Sequence, residues 1–159
     1  GGNITLRDDA TTFGNFNHNG NNLKISSTIN DGDLIFTGKD GSSTITALTL
    51  DMSGAGAATF NNDVTAFSDK RLKTDIKNID NALSKVTKMQ GVYYKRNDID
   101  DAREQVGVLA QDMEEILPQV VLTADDDFKT KSVDYGKICA VLIESIKELK
   151  AEIDQLKGK

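Results

Sequence analysis

The chain has no tryptophan, one proline, one cysteine and one histidine in 159 residues, and its first 67 residues contain no glutamate. Each shortage excludes something. With apolar residues at 38% and no tryptophan, a large private core is not expected, and a chain this thin in apolar bulk shares its core with copies of itself. The single cysteine, Cys139, rules out an intrachain disulfide framework and suits folding in a cytoplasmic compartment. Acidic residues outnumber basic ones, and the net charge of −6 argues against general nucleic-acid binding. No apolar run approaches the length of a membrane span, and no charged–apolar–small leader pattern opens the chain, so no membrane partner is expected. His18 sits between Asn17 and Asn19 in a turn-like context, without companions for metal or catalysis. Asp125-Asp126-Asp127 lacks the glycine and glutamate spacing of an EF-hand. No metal and no cofactor are expected.

What is present falls into two kinds of sequence. Residues 1–67 hold nine of the thirteen glycines and nine asparagines, residue types that disfavour helix and suit turns. Short alternating runs, Leu23-Lys24-Ile25, Leu34-Ile35-Phe36 and Ile45 to Leu50, read as strands. Asn19-Gly20-Asn21, Asn30 to Asp33 and Lys39-Asp40-Gly41 separate them as turns. Met52 to Phe60 reads as a small, flexible last turn and strand. Such strands are too short to bury anything alone, which predicts β-structure that is stable only by association, with a small monomeric β-meander as the alternative.

The two kinds of sequence meet in Ser68-Asp69-Lys70-Arg71-Leu72-Lys73-Thr74-Asp75-Ile76. A serine hydroxyl is a poor nucleophile until a base takes its proton. A lysine serves as that base only when neutral, which desolvation or neighbouring positive charge favours. Ser68 and Lys73 stand five residues apart, with Lys70 and Arg71 crowded between them. Five residues of continuous helix rotate about 140°, so the pair requires a bend or a lysine from a neighbouring chain. The same residues also fit a turn capped by Ser68 with a solvated Lys73, and Asp69 and Arg71 fit either an orienting role or surface ion pairs. Val64, Ala66 and Phe67 lead in as an extended run, which permits an accessible Phe67–Ser68 bond.

From Thr74 the apolar period changes from two to about 3.6. Ile76, Ile79, Leu83, Val86 and Met89 predict a helix that Gly91 stops. Val92 to Lys95 reads as a strand with one of Tyr93 and Tyr94 packed inward. Val106 to Leu109 reads as another strand or a helix lead-in, and Gln111 to Leu117 as a short helix ended by Pro118. Gln119 to Thr123 and Lys131 to Val133 read as strands either side of the Asp125–Asp127 turn. The last helix is expected from about Tyr135 to Leu156, with Asp134 as its N-cap. Tyr135, Cys139, Leu142, Ile146, Leu149, Ile153 and Leu156 alternate by four and three, a heptad seam with Cys139 buried in it and charges of both signs alongside. Isoleucine at a with leucine at d leans toward two strands, and an ordinary amphipathic helix on its own domain fits as well.

Three co-linear stretches, SDKRLKTDI from Ser68, GVLAQDMEEILPQVV from Gly107 to Val121 and SVDYGKICAVLIESIKELK from Ser132 to Lys150, carry a resemblance. Over roughly residues 68–157 the chain resembles the intramolecular chaperone of endosialidase family, the self-cleaving C-terminal domain of phage tail spikes and fibres. The resemblance implies that Ser68 and Lys73 form a cleavage dyad and that the bond cut is Phe67–Ser68; Asp69, Arg71 and Asp75 beside them are candidates for a supporting role. It further implies a homotrimeric α+β protein. Residues 1–67 would be an intertwined β-rich fibre segment; residues 68–159 would be a small mixed α/β unit with a long coiled-coil helix at about 135–157, built on Cys139, Leu142, Ile146, Leu149, Ile153 and Leu156. The partners would be two further copies and the upstream fibre region of the same chain. Assembly would take place in the host cytoplasm, leaving the fibre part in the virion tail and releasing the chaperone. Asp75 stands where the family often has asparagine, and Cys139 interrupts a usually aliphatic run. A non-cleaving trimeric fibre tip that binds a host receptor would keep the same β-region and seam but carry aromatic loops, whereas these turns are Asn, Gly and Asp. A membrane-associated transcription-factor precursor with a similar self-cleaving module would need a basic region or membrane helix.

Overall fold

The computed structural model describes residues 2–100 and 102–158, which form two units dividing between Lys70 and Arg71. The first unit is built of strands and turns. Strands β1 (Ile4–Asp8), β2 (Thr11–Asn19) and β3 (Asn22–Ser27) form one antiparallel sheet in chain order. Strands β4 (Leu34–Asp40), β5 (Ser43–Asp51) and β6 (Ala57–Phe60) form a second. The registers Asp8↔Thr11, Asn19↔Asn22 and Asp40↔Ser43 leave two-residue loops. Tight hairpins of that length need left-handed backbone to match strand twist. Asp9 at φ 49°, Gly20 at φ 60° and Gly41 at φ 59° supply it. At the β5–β6 loop the Asp51 carboxylate accepts hydrogen bonds from the Gly54 amide (2.7 Å) and the Ser53 hydroxyl (2.8 Å).

The anticipated runs at 23–25, 34–36 and 45–50 lie on β3, β4 and β5, and the anticipated last strand is β6. β1 and β2 were not anticipated, because Gly14, Asn15 and Asn17 dilute the alternation of β2 with turn-forming residues. His18 lies on β2 opposite Leu23 rather than in a turn. Among the described residues of this unit no apolar side chain is fully buried, while Ile4, Leu23, Ile35 and Phe36 are exposed.

The second unit is mixed. Helix α1 (Ala82–Val86) is followed by the antiparallel pair β7 (Gly91–Tyr94) and β8 (Gln105–Val108). Helix α2 (Ala110–Ile116) ends before Pro118 because the preceding Leu117 is held out of the helical region, at φ −148° and ψ 72°. A 3₁₀ turn, Pro118–Val120, leads into the hairpin β9 (Val121–Thr123) and β10 (Lys131–Val133), so the strand expected from Gln119 begins two residues later. Helix α3 (Tyr135–Lys157) packs on α1. The core is small: Ala82, Met113, Val120 and Val141 are its fully buried apolar side chains among the described residues, with Ser145 beside them.

The helix expected over 76–89 is cut to Ala82–Val86. Asp75 and Asn81 both take left-handed backbone, at φ 52° and 49°, which a continuous helix cannot contain. Of the two tyrosines on β7, Tyr93 is exposed and Tyr94 is half-buried, its hydroxyl donating to Gln105 Oε1 at 3.0 Å.

Candidate functional site

The nonapeptide from Ser68 spans the division of the chain. After β6 the backbone runs without regular structure from Asp63 to Asp69, makes one 3₁₀ turn at Lys70–Leu72, and continues irregular to Asp80. No continuous helix therefore connects Ser68 and Lys73. Phe67 is 98% exposed. Ser68 and Lys73 are exposed as well, Asp69 is half-buried and Arg71 is exposed. Ser68 and Asp69 fall in the first unit, and Arg71, Lys73 and Asp75 in the second. Asp75 is exposed in left-handed backbone. Asparagine and aspartate are the non-glycine residues that most readily adopt it.

Helix α3 carries the second set of candidate residues, on two faces. Ile138, Val141, Ser145 and Glu148 recur by three and four and turn inward, and Val141 and Ser145 are fully buried. The Ser145 hydroxyl is satisfied within the helix by donating to the Leu142 carbonyl at 2.9 Å. The heptad residues Cys139, Leu142, Ile146, Leu149, Ile153 and Leu156 lie on an adjacent face, roughly 90° around the helix, and all are exposed in the single chain. Cys139, expected to be buried, is an exposed free thiol here. Tyr135 is used within its own unit, its hydroxyl oxygen accepting a hydrogen bond from the Val108 amide at 3.2 Å. Gly107 makes room for that ring, because a Cβ there would lie 2.5 Å from the Tyr135 hydroxyl.

Asp134 stands at the N-cap of α3 but makes no side-chain cap. Its carboxylate pairs instead with Lys137 Nζ at 3.0 Å, and that hydrogen bond holds its pKa below the ordinary value. The polar contact that sequence patterning missed is Glu148. Its Oε1 accepts from the Ala82 amide (2.9 Å) and its Oε2 from the Leu83 amide (2.7 Å), so a side chain of α3 caps the start of α1. The available signal was spacing: Glu148 falls three residues after Ser145 and seven after Val141, on the buried face rather than the exposed one. Among the described residues no three His, Cys, Asp or Glu side chains are grouped to hold a metal ion, and no helix is long and apolar enough to cross a membrane.

The second unit thus combines a small core with an exposed heptad face on α3, and the first buries no apolar side chain among the described residues. Residues 68–122 match the family described as chaperone of endosialidase, whose label also marks it as a peptidase, and the match opens on Ser68. The resemblance to the chaperone of endosialidase family is thus shown over residues 68–122, which include the first two of the three motifs. The chain is also similar to the long tail fiber protein Gp37 of Enterobacteria phage K3, 34% identical over 97 residues that make up 58% of this chain and 8% of that protein. It is similar to Gp37 of Enterobacteria phage M1, 34% identical over 102 residues, 60% of this chain and 41% of the relative. Gp37 of Salmonella phage S16 is 31% identical over 109 residues, 64% of this chain and 15% of the relative. The chain therefore spans less than half the length of these curated relatives.

Proposed function

We propose that the chain is the end of a phage tail fibre joined to its intramolecular chaperone, and that three copies assemble through α3 before the chaperone cuts itself free at Phe67–Ser68. The observation that carries this is the family match beginning on Ser68, in the irregular, exposed stretch where strand sequence gives way to helix. Bringing three chains together through the heptad face raises the local concentration of the β-unit and lowers the entropic cost of registering its short strands. In the cleavage step Ser68 Oγ bonds to the Phe67 carbonyl carbon while Lys73 takes the hydroxyl proton. The C–N bond then breaks, the proton passes to the freed Ser68 amine, and an ester joins the two parts. Water cleaves that ester, leaving a Phe67 carboxylate and restoring the Ser68 hydroxyl. Because the nucleophile adjoins its target, proximity supplies several kcal/mol of the barrier without a substrate pocket. Once its folding helper has left, the fibre is kinetically locked.

The test is intact mass and denaturing gels on the parent, Ser68→Ala and Lys73→Ala. The parent should yield fragments ending at Phe67 and beginning at Ser68, and both variants should stay whole. Identical behaviour of all three sinks the dyad. A parent that trimerises yet stays whole points instead to the non-cleaving, receptor-binding fibre tip.

A further inference from the structure

Helix α3 presents two neighbouring faces with different tasks, and Glu148 belongs to the one that grips α1. Its two carboxylate oxygens receive the first two amides of α1, whose own N-cap, Asn81, offers no side-chain cap. A five-residue helix is too short to hold itself, so its start is fixed from outside. Just upstream, Lys85 of α1 donates to the Asp80 carbonyl at 2.6 Å and lies 3.5 Å from its carboxylate, extending the grip backward along the chain. Lys73 lies nine residues before Ala82 in the same unit, on the irregular backbone that leads into Asp80. We propose that Glu148 is a positioning residue for self-cleavage: it ties the helix that gathers the three copies to the segment that delivers Lys73, so that assembly and cutting are linked through one carboxylate.

The proposal rests on the cleavage reading above and fails separately from it. The parent, Glu148→Ala and Glu148→Gln are compared at equal trimer content, established by light scattering, well below their melting temperatures. Losing both carboxylate bonds should slow cleavage within assembled trimers roughly tenfold or more. Glu148→Gln, which keeps one amide-accepting oxygen, should recover part of the rate. If the parent is cut and both variants are cut at its rate, or are slowed only in proportion to lost trimer, the positioning role is overturned while the dyad stands. If the parent stays whole, the dyad falls, and amide exchange over residues 73–83 decides the rest. Exchange must quicken in Glu148→Ala, and unchanged exchange overturns the tie itself.

Discussion

Placing a carboxylate on the heptad face tests the proposed trimer most directly. In the single chain Leu142 is 40% exposed, Ile146 65%, Leu149 44%, Ile153 37% and Leu156 73%, together about two and a half fully exposed side chains. At roughly 1.5–3 kcal/mol for burying each such side chain, association offers roughly 4–8 kcal/mol per chain before the cost of immobilising three molecules. Ile146→Asp removes the central contributor and adds three carboxylates to one apolar seam, where each unpaired charge costs several kcal/mol. That exceeds any surplus the seam holds, so the variant should be monomeric at micromolar concentration. Ala151→Asp is the control: it adds the same charge to α3 roughly 180° from the seam and should leave assembly intact. Light scattering with intact mass reads both. If Ile146→Asp assembles like the parent, or Ala151→Asp dissociates as readily, the exposed stripe is not the assembly face.

The remaining predictions concern the second unit. Met113→Ala, at a site 1% exposed, should lower its stability by about 2–5 kcal/mol, read as a fall in urea midpoint, whereas Phe128→Ala at the exposed hairpin loop should stay within about 0.5 kcal/mol. Gly107→Ala should destabilise by about 1–3 kcal/mol because the new methyl meets the Tyr135 hydroxyl. Adding Tyr135→Phe should cost less than the two changes summed, and strict additivity in that cycle would disprove the contact. The Thr130 amide holds the Asp126 carboxyl below its ordinary pKa by donating to it at 2.8 Å. A carboxyl depressed in the folded state stabilises it above the unfolded value and loses that contribution as pH falls through the lower, folded one. Melting temperature should therefore drop below about pH 4 in the parent and drop less steeply in Asp126→Asn.

Sequence revealed elements wherever local chemistry decided the structure. Turn residues marked the hairpins at Gly20 and Gly41, Pro118 marked the end of α2, and the heptads marked the extent of α3 almost to the residue. It failed where two local signals competed. Ile76 and Ile79 keep helical spacing, yet Asp75 and Asn81 take left-handed backbone, and the chain stays irregular until Ala82. In β2 the asparagines and Gly14 concealed a nine-residue strand, because its pairing with β1 and β3 overrides weak propensity. Glu148 was hidden for another reason. Its charge and its place beside the heptads suit a solvated flank, and only the arrival of α1, 65 residues earlier in the chain, gives it two amides to hold.

The two stripes of α3 explain why neither description of that helix sufficed alone. An amphipathic helix packed on its own domain needs one apolar face, and a coiled coil needs another. Ile138, Val141, Ser145 and Glu148 serve the first, and Leu142, Ile146, Leu149 and Ile153 remain for the second. The division sets an order of events under the proposed function. The second unit has enough buried surface to take shape early, since its contacts include the local pair of β9 and β10 and the packing of α1 on α3. The first unit buries no apolar side chain among the described residues, so its six short strands gain little until other copies cover them. A helper that orders first, gathers three chains along its outer stripe and grips α1 by its inner one is physically suited to act last on the joint at Ser68, after the strands it gathered have paired.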